Sequence, residues 1–213
     1  MATYTSGITG PFSGKVGAVV GVNYKGKAVL RSVPKIRTKP ATPGQLNQQA
    51  KMIKVMQLLS PIKELITIYF GTSVETRSRN NLAVSYYLTE VVYYQDDNLV
   101  VQYEKMMFAQ GILQFLNNLA CVIGAENTLQ LTWNDNSIQG GTKSTDELIV
   151  VIYNPVKEEY IYYAPAAMRA DTTATVALPT DFIGDNLFVY AFMASADGKS
   201  NSSSWCLGSF LVE

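Results

Sequence analysis

No acidic residue occurs before Glu64. Residues 1–63 hold ten Lys and Arg, while residues 64–213 hold seven against seventeen Asp and Glu, so a net charge of zero conceals a cationic front and an anionic remainder. A chain divided in this way does not screen itself along its own length. Its front seeks an acidic surface, either nucleic acid or the acidic body of another copy. Seven of the cations, Lys15, Lys25, Lys27, Arg31, Lys35, Arg37 and Lys39, fall within residues 7–40 together with six of the fifteen glycines.

The same stretch reads as an attachment hairpin. Residues 16–22 and 27–33 are β-prone runs holding Val16, Val19, Val20 and Leu30, separated by a turn at Asn23-Tyr24-Lys25-Gly26. All seven cations have odd numbers, so period two places them on one face of an extended chain. Tyr24, Ala28, Leu30 and Ile36 are expected on the other face. A lone hairpin is marginal in water and glycine raises the entropy cost of ordering it, so this arm must dock to persist. Gly14-Lys15 ends a segment like a phosphate-binding loop, but Val16 stands where Ser or Thr is required.

Downstream, Thr42-Pro43-Gly44-Gln45 has the form of a helix start, with Leu46, Ala50, Ile53 and Met56 as an inward stripe. Ser60-Pro61 opens a second helix with Ile62, Leu65, Ile66 and Tyr69 inward, ending at Gly71. A third is expected over 74–92 with Leu82, Tyr86 and Thr89 inward. After a turn at Asp96-Asp97-Asn98 the pattern shifts to period two. Strands are expected at 99–103, 105–109, 128–133, 147–153, 159–163, 174–178, 187–194 and 204–211, with Trp133 and Trp205 as core anchors. The fold class is α+β: a basic arm over residues 1–40, a helical region over 41–95 and a β-sandwich over 96–213.

Three segments resemble an uncharacterised family of small proteins frequent in Bacteroidota genomes. They are Gly10-Pro11-Phe12-Ser13-Gly14-Lys15-Val16-Gly17, Thr42-Pro43-Gly44-Gln45, and a C-terminal block with Leu178-Pro179 and Ala196-Asp197-Gly198-Lys199. The block is also similar to immunoglobulin and fibronectin type III modules, with Trp133 on an early strand and Val189-Tyr190-Ala191-Phe192 on a late one. The helix opening is similar to helices of small bacteriophage virion proteins. The resemblance implies architecture and carries no activity or cofactor.

Chemistry finds little footing in this composition. There is no histidine, which removes the commonest general base and metal ligand. Asp96, Asp97 and Asp135 sit in turns beside Asn, and Asp146-Glu147 and Glu158-Glu159 are adjacent pairs whose members diverge along a strand. Cys121 and Cys206 are read as reduced core residues. The expectation is a non-enzymatic structural protein without cofactor, metal, membrane span or small-molecule substrate. It forms a head-to-tail homo-oligomer (filament, tube or phage-like shell) through the arm residues Lys15, Val16, Val19, Val20, Tyr24, Lys25, Lys27, Leu30, Arg31, Lys35 and Arg37. Residues 1–5 carry no export signal, so a cytoplasmic or virion location is expected. The rival readings are a nucleic-acid-associated protein using the arm, and a glycan-binding surface module using Tyr93, Tyr94, Tyr160, Tyr162 and Tyr163.

Overall fold

The computed structural model describes residues 2–3, 12–24, 26–36, 38–73, 77–125 and 127–212. They divide into two compact units, Met1–Pro43 and Gly44–Glu213.

The first unit is a sheet of four short antiparallel strands in the order β1-β4-β3-β2: β1 (Ala2–Thr3), β2 (Gly14–Val16), β3 (Val19–Tyr24) and β4 (Lys27–Ser32). The expected hairpin is present as β3 and β4, paired from Val19↔Ser32 to Tyr24↔Lys27. The run expected over 16–22 is broken by a turn at Gly17-Ala18, where Gly17 has φ +59°. That reversal adds β2 beside β3. Gly21 lies under Phe12, and a Cβ there would overlap the Phe12 carbonyl oxygen and ring. Only a residue without a side chain lets Phe12 approach this closely.

The second unit has three layers. On one side are α1 (Pro43–Leu59), α2 (Lys63–Tyr69) and α3 (Arg79–Tyr86), the last running into a π-helical turn, Tyr87–Val91. In the middle is a four-stranded antiparallel sheet and on the far side a three-stranded one. The strands in chain order are β5 (Val92–Gln95), β6 (Asn98–Val101), β7 (Asn117–Gly124), β8 (Thr128–Asn134), β9 (Glu147–Asn154), β10 (Glu159–Met168), β11 (Thr173–Ala177), β12 (Asn186–Ala194) and β13 (Trp205–Leu211). The middle sheet runs β10-β9-β12-β13, the outer one β11-β8-β7, and β5 and β6 form a separate ribbon. Asp96 and Asp97 close that ribbon with positive φ at both turn positions, the geometry of a tight hairpin.

Two apolar clusters meet at the middle sheet. Ile149, Val151 and Tyr153 of β9, with Tyr190 and Phe192 of β12, pack against Val55, Leu58, Leu59, Ile66, Phe70 and Tyr87 of the helical layer. Their neighbours Leu148, Val150, Ile152, Val189, Ala191 and Met193 face the other way, onto Leu129, Leu131, Trp133, Ala174 and Val176 of the outer sheet. Every residue from Leu148 to Asn154 is therefore buried, whereas β8 and β11, covered on one face only, alternate buried and exposed. The helices and the strands after them share one core, so 41–95 and 96–213 are parts of one unit.

Several local expectations need correction. In α1 the stripe expected inward is turned out: Leu46, Ile53 and Met56 are 53%, 60% and 42% exposed, while Val55, Leu58 and Leu59 are buried. The helix carries two apolar faces, and long-range partners choose between them. Lys51 Nζ donates to Leu88 O at 2.7 Å and Lys54 Nζ pairs with Glu158 at 2.5 Å, so the lysine side lies on the body. Of the third helix, residues 74–76 lie outside the described residues. From Arg79 on, its buried positions are Ala83, Tyr87 and Val91, with Leu82 and Tyr86 half-buried and Thr89 exposed. The inward stripe is thus one residue later than expected already at Ala83, ahead of the π-helical turn, and recurs every four residues through Tyr87 to Val91.

Residues 105–109 form no strand. A 3-10 turn over Tyr103–Lys105 precedes them, and Ser204 ties them down, its Oγ accepting from Phe108 N at 2.9 Å. Conversely β7 was not expected, because Ala120 and Val122 on its outer face blur the period-two pattern. Trp205 is 61% exposed on β13, stacked on Phe115 rather than inside the core.

Candidate assembly surface

Seven cations and no acid fall in residues 1–43, leaving ten cations against seventeen acids in 44–213. In the first unit the strand register decides which of these residues share a face. Residues directly opposite on antiparallel strands point the same way. Lys15 pairs with Val20, which pairs with Arg31, and Tyr24 pairs with Lys27. Lys15, Lys27 and Arg31 therefore lie on one face with Val20, Val22, Tyr24 and Val29. The expectation that Tyr24 opposes the cations is corrected by this register, since the turn reverses parity between strands. Leu30 faces the other way, with Gly21, as do the paired Val16 and Val19. Lys35 is exposed beyond β4, and Lys25 and Arg37 lie outside the described residues.

This sheet buries little. Val29 and Gly21 are its buried positions among the described residues, while Val16, Val19 and Tyr24 remain exposed. Gly14, Lys15 and Val16 of the edge strand β2 are all exposed. A single layer with exposed valines and an edge of this kind is a template for pairing with another chain.

In the second unit many carboxylates have structural tasks. Asp135 accepts from Ser137 N at 2.9 Å, Asp171 from Met168 N at 2.7 Å and Asp185 from Asn154 Nδ2 at 2.7 Å. Asp197 accepts from Ser195 Oγ at 2.7 Å and Lys199 N at 3.2 Å, contacts that hold its carboxyl below the usual range. Asp181, paired with Lys157 at 2.7 Å, is lowered likewise. Asp146 is buried against the fully buried Arg169, with Oδ2 3.2 Å from Nε, and also accepts from Lys143 N at 2.9 Å. The guanidinium further donates to Asn136 Oδ1 and to Gln114 O, the latter at 2.9 Å, and Trp133 Nε1 donates to Arg169 O at 2.8 Å. Sequence reasoning missed this network, which clamps the loop between β8 and β9.

Among the described residues no three Asp, Glu or Cys side chains gather as metal ligands. The two cysteines are unbridged and half-buried, and burial raises both thiols, Cys121 to about 12. The tyrosines considered for a sugar surface diverge. Tyr160 packs into the cluster under the helices and Tyr163 into the cluster between the sheets, while Tyr162 is exposed. A cleft of about 610 Å³ is lined by Arg79, Gln110, Lys199 and Asn201. Two of those groups hold backbone, Arg79 on the carbonyls of Thr67 and Ile68 and Asn201 on Tyr69 O at 2.9 Å.

The model of a family of unknown function, DUF6266, matches residues 11–208. The chain belongs to this family. The match takes in β2, β3 and β4 of the first unit and all of the second unit but the end of β13 and the residues after it. No curated protein matches the chain. No helix among the described residues is long and apolar enough to cross a membrane.

Proposed function

We propose that this is a non-enzymatic structural protein that self-assembles head to tail into a filament, tube or phage-like shell. The cationic sheet of one copy docks on the acidic body of the next. The observation that carries this reading is the sheet of the first unit: among the described residues it has three cations on one face, exposed valines, an exposed edge strand β2 and two buried positions, Gly21 and Val29. Such a layer gains most by joining another sheet, where backbone hydrogen bonds supply affinity. The cations then set register and raise the encounter rate more than they add affinity.

A fitting acceptor is the β5–β6 ribbon. Exposed Glu90, Asp96, Asp97 and Glu104 surround it, and it pairs with no further strand among the described residues. Contact between two different surfaces is heterologous and propagates into rings or filaments. We read the seven strands β7 to β13 as an immunoglobulin/fibronectin-III-like module serving as the body. The division of first, second and fifth strands from third, fourth, sixth and seventh supports this, as does buried Trp133 on the second.

The test is light scattering and negative-stain microscopy of the full chain beside the triple variant Lys15→Glu, Lys27→Glu, Arg31→Glu. The parent should form assemblies that weaken with salt, and the variant should not. A parent without assemblies, or a variant that assembles equally well, ends the proposal. Tyr24 on the cationic face gives the nucleic-acid reading one aromatic platform. Assemblies that dissolve on nuclease treatment would favour that reading.

A further inference from the structure

We infer that the outward face of α1 is a two-fold contact with the same face of a second copy, separate from the head-to-tail contact proposed above. A helix lying on a body normally turns a charged, polar face to water. This one does not. Leu46, Gln49, Ile53, Met56 and Ser60 recur at alternating spacings of three and four, and all are exposed. Met52 and Gln57 flank them, and Met52, Ile53, Met56, Gln57 and Ser60 line a shallow depression of about 380 Å³. The lysines within the helix, Lys51 and Lys54, lie on the other side, engaged with Leu88 O and Glu158.

Charge selects the occupant. A two-fold contact brings each residue patch against itself, so the patch must be self-complementary. Like charges facing one another are costly. A neutral stripe with the three-four repeat of a helix-pairing seam meets this condition, as a net cationic sheet facing its own copy does not. Antiparallel pairing of two such stripes sets Ile53 of each copy against Met56 of the other, with Gln49 and Ser60 outside them. The seam from Leu46 to Ser60 is about 21 Å long and the helix about 10 Å wide. That strip is smaller than the roughly 800 Å² per partner of a standard interface. The contact is therefore concentration-dependent, and gains most where copies are already held close.

The test uses full-length chains carrying the triple arm substitution, so that head-to-tail growth does not mask a dimer. To these are added Ile53→Glu with Met56→Glu in one variant, and Ile53→Lys with Met56→Lys in another. Masses are read by sedimentation at several concentrations, and circular dichroism checks that each variant is folded. The arm-substituted chain should reach twice the monomer mass as concentration rises, each doubly charged variant should stay monomeric, and mixing the two should restore the dimer. A monomer throughout, or variants that keep the parent's mass, overturns the inference. To test for cover by a neighbour's cationic sheet, the Glu and Lys pairs are also placed in the chain with its native arm. Stronger association by the Glu pair there, with weaker association by the Lys pair, assigns the face to that sheet and likewise overturns the two-fold contact. Failure of the arm proposal shows separately, as growth that persists in the triple variant.

Discussion

Replacing Arg169 by Ala should be among the most destabilising single changes in the second unit. Arg169 is 0% exposed and its partner Asp146 is 1% exposed. Truncation at 169 leaves a carboxylate that solvent does not reach, with Lys143 N at 2.9 Å as its remaining donor among the described residues. Removing one member of a buried ion pair costs about 3–5 kcal/mol, because the other charge stays behind. Asn136 Oδ1 and Gln114 O lose a donor as well, and each unsatisfied buried acceptor costs about 1–3 kcal/mol where no water replaces it. A total of about 4–8 kcal/mol is expected, taking the two acceptors as partly rewetted; a domain is stable by only about 5–15 kcal/mol. The assay is urea unfolding of the parent, Arg169→Ala, Asp146→Leu, and the double variant Arg169→Met with Asp146→Leu. The double variant should be more stable than either single one, because no unpaired charge remains in it. Were Arg169→Ala to shift stability by less than about 1 kcal/mol, as a surface change does, the clamp would carry no such weight. A double variant no better than the singles would refute the electrostatic account in favour of packing alone.

Two further outcomes are expected. The Tyr153 hydroxyl is buried without a hydrogen-bond partner among the described residues, so Tyr153→Phe should leave stability unchanged or raise it by about 1 kcal/mol. A loss of that size in thermal unfolding would reveal a partner. Burial lifts the Cys121 thiol to about 12, so only about one thiol in ten thousand is ionised at pH 8. Alkylation at that position should be slow in the folded chain and fast in urea. Equal rates by mass spectrometry would contradict it.

Much of the fold could be read from short range. The turn at Asp96-Asp97 formed where expected, Pro155 to Glu158 turn directly after Asn154 ends β9, and Asp197-Gly198 lie in a turn. The unbroken apolar runs 148–153 and 187–194 became β9 and β12. Their lack of alternation is the sequence mark of a sheet covered on both faces. The cationic residues were equally legible, but their grouping was not. Period two along the chain put Tyr24 opposite the lysines, and the reversal at the hairpin turn brought it to their side.

Charge partition, turn positions and the propensities of individual segments are properties of residues and their near neighbours, and the linear chain determined them. Which face of α1 turns inward, why Trp205 stands in solvent, and why Arg169 is buried were decided only by tertiary structure. Each depends on a partner far along the chain: Lys54 meets Glu158 104 residues later, and Arg169 reaches back 55 residues to Gln114. A helix with apolar side chains on two sides has no local reason to choose between them, and the free energy of packing on a body assembled from distant strands makes that choice.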